Sequence, residues 1–318
     1  MTDLRTPAET AIRQCLDVRA DESCVIVTDS NREPIANALY EAALERTDDV
    51  AFVRYPPGDT HGEEPPEPVA AAMAGADVVL APTTKSLSHT RARTDANEAG
   101  ARVATLPGIT EEVFATGLEA DYDEIATRCE AIREQVDGAD EIRVTAAAGT
   151  DITFGIGDRD FRSDTGIVHE AGAMSNLPAG EVFVSPETAE GTFVVDGTMM
   201  PHGLLEDGRT LTFEVEDGLV TDISDDEIRS TVEDATTEVG DAAYNLAELG
   251  IGTNVAVTEL VGSVLLDEKA GGTVHIAIGD DAGIGGDVDA PIHLDGIIRE
   301  PTVFADGVEV DLPAGESR

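Results

Sequence analysis

Tryptophan is absent from this 318-residue chain, and aromatic residues make up only 4% of it. A core must therefore be built from Val, Ile, Leu and Ala, and a hydrophobic content of 41% is enough for one. Lysine is nearly absent too, because only Lys85 and Lys269 occur among 20 basic residues. With 65 acidic residues the formal net charge is -45, so the chain is strongly anionic.

The acidic residues are spread along the chain and do not form a tail, which argues against an acidic interaction arm. A protein this acidic repels itself in dilute buffer, and salt screens that repulsion because the Debye length falls to about 3 Å at 1 M. We interpret the charge as an adaptation to a salt-rich cytoplasm. The same charge excludes nucleic acid and anionic membrane as expected partners.

Cysteine is scarce, and Cys15, Cys24 and Cys129 have no metal-type spacing. Their odd number excludes a complete disulfide framework, which favours a reducing compartment. The first residues show no secretory signal pattern, and no apolar run approaches the length of a membrane span. We therefore expect a cytoplasmic protein.

Length and pattern predict two domains, 1–138 and 139–318. In the first, strand patterns at 24–29, 50–55, 77–83 and 102–108 alternate with helical patterns, which predicts an α/β domain with a mostly parallel sheet. Function in such sheets usually lies at the carboxyl ends of the strands. The basic side chains after the third strand are candidate substrate-binding residues: Lys85, His89 and Arg93.

From about residue 140 the pattern changes to short strands separated by Gly, Asp and Pro, beginning with a hairpin around Gly149. Residues 225–248 are expected to form one long helix. The second half is therefore predicted to be a β-rich α+β domain that carries the metal site and the catalytic site.

Two of the six histidines, His275 and His293, fall within 18 residues of each other near glycine-rich turns. Strand alternation places His293 and Asp295 on the same side of one strand, where both can bind one cation. Glu181 stands just before an apolar strand. Glu248 ends the predicted long helix, where an acidic residue is disfavoured by the helix dipole, and this misfit suggests another purpose.

Several motifs together resemble the M29 (thermophilic-type) metallo-aminopeptidases. They are, in order, LSHTRARTDANEAGARVATLPGIT, GTDITFGIGDR, NLPAGEVFVSP with EGTFVVDG, NLAELGIGTN, LLDEKAGGTVHIAIGD and HLDGII. The resemblance covers most of the chain, and the acidity suggests a haloarchaeal member of that family. It implies that five residues match the peptidases' metal-ligand positions: Glu181, Glu248, His275, His293 and Asp295.

The resemblance further implies two divalent ions (Zn, Co or Mn), a homodimer, and removal of N-terminal residues from peptides by a metal-activated water. Glu268, just before His275, is the candidate proton-shuttling base, although a solvated turn residue is an equally good interpretation. The peptidases carry a tyrosine seven residues after the first metal histidine, and Ala282 stands there. The sequence thus predicts a leucyl aminopeptidase-like hydrolase.

Two alternatives stay open. His275, His293 and Asp295 form the two-histidine, one-carboxylate set of non-haem Fe(II) oxygenases, and ring-cleaving dihydroxypyridine dioxygenases look similar around the final His-x-Asp. Those dioxygenases have a histidine near the position of Glu248, so the glutamate favours the hydrolase. The other alternative is a non-catalytic binding protein, in which the basic cluster around Arg91 and Arg93 holds a carboxylate or phosphate.

Overall fold

Helices and strands alternate in the first part of the chain, and strands predominate after it. The computed structural model describes residues 2–313. Its helices are α1 (Arg5–Thr10), α2 (Glu33–Leu44), α3 (Glu67–Ala74), α4 (Arg91–Glu98), α5 (Glu111–Gly117), α6 (Tyr122–Val136), α7 (Asp226–Val239) and α8 (Val264–Asp267). Its strands are β1 (Cys24–Thr28), β2 (Val50–Arg54), β3 (Val78–Thr83), β4 (Arg102–Pro107), β5 (Glu141–Thr145), β6 (Asp151–Gly155), β7 (Arg162–Asp164), β8 (Met174–Asn176), β9 (Glu181–Val184), β10 (Thr188–Val195), β11 (Thr198–Met199), β12 (Gly203–Leu204), β13 (Leu211–Glu216), β14 (Leu219–Ile223), β15 (Leu246–Gly252), β16 (Val274–Gly279), β17 (His293–Ile298), β18 (Thr302–Ala305) and β19 (Val308–Glu309).

The chain forms a two-domain α/β fold with one parallel sheet and further antiparallel sheets. The first unit contains the chain up to Ala126 and the later segment Asp164–Ala179. The second contains Thr127–Ser163 and the chain from Gly180 onward. The boundary at residue 138 stays a prediction about independently folding domains.

The first unit is built on a parallel sheet with strand order β2-β1-β3-β4-β8. β1 and β3 consist of buried residues throughout, as expected for strands covered on both faces. Helix α2 buries Ile35, Leu39 and Ala43 at a spacing of four, which forms one apolar stripe. The parallel sheet predicted from the first four strand patterns is confirmed.

The fifth strand of that sheet was not predicted. β8 comes from the segment Asp164–Ala179, and it pairs with β4 through Val103↔Met174 and Thr105↔Asn176. Three residues are too few to show a hydrophobic period, so no local pattern could reveal this strand.

The second unit contains two sheets within the described residues, with strand orders β14-β13-β10-β6-β5-β18-β19 and β12-β11-β17-β16-β15-β9-β7. The predicted hairpin around Gly149 is formed by β5 and β6, and Gly149 has φ +119° at its turn. In the other sheet, β9, β15, β16 and β17 are antiparallel neighbours. These four strands carry the candidate site.

The prediction of one helix over residues 225–248 is wrong. Helix α7 ends at Val239, because Gly240 takes φ +63° and a short 3-10 turn, Gly240–Tyr244, follows. The chain then enters β15, in which every residue is buried. Glu248 therefore lies inside a strand, and the helix-dipole reason for choosing it does not apply. Within residues 2–313, no helix has both the length and the apolar character needed to cross a bilayer.

Candidate metal centre

Four neighbouring strands bring the five predicted ligands to one face of a sheet. Glu181 opens β9, Glu248 lies in β15, His275 in β16, and His293 and Asp295 in β17. Ala277 of β16 pairs with both Glu248 and Asp295, while His275 pairs with Gly250, two residues along from Glu248. Because side chains alternate between faces, this register places the polar side chains on the same side.

The ligands form two groups of three that share Glu248. We call Glu181, Glu248 and His275 the buried group, and Glu248, His293 and Asp295 the open group. Within each group the candidate ligand atoms lie within 4.8 Å of one another. Glu248 lies between the two imidazoles, with Oε1 3.3 Å from Nε2 of His275 and Oε2 3.3 Å from Nε2 of His293.

The spacing of these atoms suits a divalent cation. Nε2 of His293 is 3.3 Å from Oδ1 of Asp295, and Nε2 of His275 is 3.4 Å from Oε2 of Glu181. Adjacent ligand atoms of an octahedral ion with bonds of about 2.1 Å lie about 3 Å apart. Oε2 of Glu181 is buried and lacks a hydrogen-bond partner, as expected of an atom available as a ligand.

The two groups differ in access. The side chains of His275 and Glu181 are 1% and 8% exposed, whereas those of His293 and Asp295 are 32% and 12% exposed. A small molecule can therefore reach the open group more readily than the buried group.

The orientation of His293 is fixed by the backbone. Its Nδ1 is 2.7 Å from the carbonyl oxygen of Asp280, so the Nδ1–H donates there and Nε2 is the ring nitrogen that faces the cluster. This arrangement of a ring nitrogen on a carbonyl is usual for metal-binding histidines.

The imidazole of His275 has room because Gly250 faces it. A Cβ atom added at Gly250 would lie 2.0 Å from Nε2 of His275 and 2.1 Å from its Cε1. Glycine at this point of β15 is therefore a requirement of the site, and any larger side chain would displace the ring.

Lys269 is the residue of this cluster that the sequence did not reveal as functional. Its Nζ is 2.5 Å from Oε1 of Glu181 and 2.7 Å from Oε1 of Glu268, and its side chain is 4% exposed. The sequence feature that could have identified it is its rarity, since Lys269 is one of two lysines in the chain. Glu268 is 14% exposed, so it is not a solvated turn residue, and its role as a base stays a prediction.

Burial and mutual attraction shift the pKa values of the cluster in both directions. Burial raises the pKa of Glu181 to about 8, although Lys269 and His275 oppose the shift. Burial would also raise the pKa of Glu248, but hydrogen bonds from both imidazoles outweigh it and lower that pKa. Burial acts to lower the pKa of His275, and contact with Glu248 and Glu181 raises it to about 9. Glu248 and the imidazoles thus favour each other's charged forms, whereas burial disfavours the charged form of Glu181.

The predicted substrate-binding residues lie in the first unit, after β3. Arg93 is occupied within its own unit, since its Nε donates to the carbonyl of Ser88 at 2.7 Å and its Nη1 to Asn97 at 3.2 Å. The side chain of His89 is exposed. Lys85 lines a cavity of about 290 Å³ together with Glu63 and Glu64. Substrate binding by Lys85, His89 and Arg93 stays a prediction.

Comparison with protein-family profiles gives a match over nearly the whole chain. The sequence profile of the NicX family, 2,5-dihydroxypyridine 5,6-dioxygenase, matches residues 4–313. A search of curated proteins finds no match.

Two solved structures share the fold. The 2,5-dihydroxypyridine dioxygenase of Pseudomonas putida KT2440 superposes with a TM-score of 0.79 at 22% identity, covering 99% of this chain and 96% of that one. AmpT from Thermus thermophilus superposes with a TM-score of 0.67 at 18% identity, with the same coverage. At these identities the structures show the fold alone.

The profile match contradicts the resemblance to M29 aminopeptidases. The predicted leucyl aminopeptidase activity, the assignment to hydrolases and proteases, and the peptide substrate are therefore wrong. The error has a physical source, because AmpT, an M29 aminopeptidase, has the same fold, so the fold alone does not separate the two families. Glu248, taken as evidence for the hydrolase, does not discriminate between the two chemistries. The dioxygenase alternative agrees with the match.

Proposed function

The chain belongs to the 2,5-dihydroxypyridine 5,6-dioxygenase family, and we propose that it is a metal-dependent dioxygenase that opens the ring of a dihydroxylated pyridine or a close analogue. The observation that carries this proposal is the family match over residues 4–313, because it includes every strand of the candidate metal centre. The cluster of imidazole and carboxylate groups agrees with it.

The residues present fit a divalent ion. Nitrogen and oxygen donors of this kind suit Fe(II), Mn(II) and Zn(II). The expected set of His275, His293 and Asp295 does not form one group among the described residues, because His275 groups with Glu181 and Glu248. We propose Fe(II) in the open group, where Glu248 takes the place of a second histidine. When bound, Fe(II) supplies the redox chemistry that allows an aromatic ring to react with dioxygen.

The protein groups have separate tasks in this proposal. Glu248, His293 and Asp295 hold the ion, and the carbonyl of Asp280 keeps the ring of His293 in position. His275 fixes Glu248 by contacting its Oε1. The deep burial of His275 and Glu181 keeps water from the inner side of the cluster.

The number and identity of the ions are a separate matter. The sequence predicted two ions chosen from Zn, Co and Mn, and two groups sharing Glu248 have enough ligands for two. We propose one catalytic ion, because only the open group combines metal ligands with access for a substrate. A cytoplasmic location and substrate binding by Lys85, His89 and Arg93 are retained as independent proposals.

Oxygen consumption tests the proposed function. Protein purified in high salt, stripped with chelator and reloaded anaerobically with Fe(II) is mixed with 2,5-dihydroxypyridine in an oxygen-electrode cell. We expect one dioxygen consumed per ring lost, no uptake by His293→Ala, and normal uptake by His202→Gln, whose histidine pairs with Asp225 outside the cluster. Absence of uptake by folded, Fe(II)-loaded protein with this substrate and its hydroxylated analogues would overturn the proposal.

A further inference from the structure

The side chain of Lys269 places an ammonium against the buried group. We propose that the ammonium of Lys269 is the built-in cation of the buried group, so that the centre takes up a single exchangeable metal ion, in the open group. The inference rests on the metal-binding part of the proposed function and adds the reason why five ligand residues serve one ion.

The contacts of Lys269 support this role. Its ammonium lies 2.5 Å from Oε1 of Glu181 and 2.7 Å from Oε1 of Glu268, and the side chain is 4% exposed. Charge-assisted contacts this short, in a site nearly closed to water, are the strong kind. Two carboxylates are thus neutralised in part before any metal arrives.

The main chain that carries Lys269 is held by hydrogen bonds on both sides. Lys269 follows helix α8, its N–H donates to the carbonyl of Leu266, and its own carbonyl accepts from the N–H of Asn254. The segment approaches β15 closely, since a Cβ atom at Gly252 would lie 2.1 Å from the carbonyl oxygen of Ala270. The main chain of Lys269 is therefore held by the folded scaffold, and its ammonium is held by burial and by its contacts with Glu181 and Glu268.

A metal ion in the buried group would have to bind Glu181 through Oε2, because Oε1 contacts the ammonium. The divalent ion and the ammonium would then occupy the two oxygens of one carboxylate. Like charges a few ångströms apart repel strongly where water is excluded. Among the described residues, the ion pairs of His293 and Asp295 join members of the open group to one another.

The competing role for Lys269 is to hold Glu181 in place as a ligand for a second metal ion. The two roles predict opposite effects of removing the charge. If the ammonium replaces a metal ion, a neutral side chain of similar length opens the buried group to a second ion. If the ammonium supports a ligand, its removal weakens metal binding.

Metal stoichiometry decides between them. Chelator-stripped protein is titrated with Mn²⁺ in high-salt buffer by calorimetry, and bound metal is counted by elemental analysis after desalting. We expect one equivalent for the natural protein, two for Lys269→Met, and one for the matched control Lys85→Met, which removes the chain's other lysine. Two equivalents in the natural protein, or one in a folded Lys269→Met variant, would overturn the inference.

A second pair of variants tests the inference independently, in case Lys269→Met does not fold. Lys269→Arg keeps the charge and should bind one equivalent. Glu181→Gln should also keep one equivalent, with affinity changed by less than about tenfold, whereas loss of an equivalent would show that Glu181 serves a second metal ion. Stoichiometry is measured without substrate or dioxygen. Two equivalents with normal oxygen uptake therefore overturn this inference alone, and one equivalent without uptake overturns only the proposed function.

Discussion

Replacement of Gly250 by alanine introduces one methyl group at the centre of the proposed site. Gly250 lies inside β15, paired with Phe183 on one side and His275 on the other, so neither its strand nor its neighbours can move aside. The added Cβ would lie 2.0 Å from Nε2 of His275. Because a carbon atom needs at least about 3 Å, the imidazole must move by roughly 1 Å.

A displacement of that size removes the contact between His275 and Oε1 of Glu248, which spans 3.3 Å. Glu248 then loses the partner that orients it toward the open group. Loss of such an outer partner typically weakens metal binding about 10- to 100-fold. Overpacking of a closed site should also cost about 1–3 kcal/mol of the free energy of unfolding.

Both effects are measurable on the same protein sample. Mn²⁺ affinity is obtained by calorimetry, and stability from thermal unfolding of the metal-free protein. Gly75→Ala is the control, because its added Cβ would approach nothing closer than 3.3 Å, and it should leave Mn²⁺ affinity unchanged. An unchanged Mn²⁺ affinity for folded Gly250→Ala would refute the view that His275 is part of the metal centre.

Three further predictions test the site, an ion pair and the charge. His293→Ala should weaken Mn²⁺ binding at least about 100-fold, measured by calorimetry, because the open group loses its only histidine. Arg102 pairs with Glu22 through two contacts of 2.8 Å and lowers the pKa of that carboxyl against the opposing effect of burial. The stabilisation by this pair is therefore complete above the usual glutamate pKa of about 4.3 and is lost as the pH falls below it. Lowering the pH should consequently reduce the free energy of unfolding of the natural protein more than that of Glu22→Gln. Transfer from about 3 M to about 0.1 M KCl should lower the melting temperature, because the net charge of -45 is then less screened, and an unchanged value would contradict the salt-adaptation hypothesis.

The sequence predicted those parts of the fold that local patterns encode. Buried runs such as Val78–Thr83 and helical stripes such as that of α2 are visible as periods of hydrophobic residues. The strand β8 was missed because it is short and joins its sheet from a distant segment. The helix predicted over residues 225–248 is too long because Gly240 takes a backbone conformation that ends α7, and the hydrophobic pattern does not show this.

In the candidate site, too, local patterns predicted some contacts and non-local strand pairing determined the others. Alternation along β17 was enough to place His293 beside Asp295, and their atoms lie 3.3 Å apart. The pairing of β9, β15 and β16 that gathers Glu181, Glu248 and His275 is non-local, and only the resemblance to a related fold supplied it. That resemblance supplied the wrong chemistry, because an aminopeptidase and a dioxygenase share this fold. Lys269 was overlooked because a lysine next to a glutamate usually indicates a solvated turn.

We propose that this chain is a ring-opening dioxygenase whose open group holds the metal ion. Mass spectrometry of the product formed from 2,5-dihydroxypyridine under ¹⁸O₂ tests it most directly. We expect the Fe(II)-loaded protein to form a ring-opened product that contains both atoms of one ¹⁸O₂ molecule, and His293→Ala to form none. Recovery of unchanged substrate, or of a product without ¹⁸O, from folded and Fe(II)-loaded protein would contradict it.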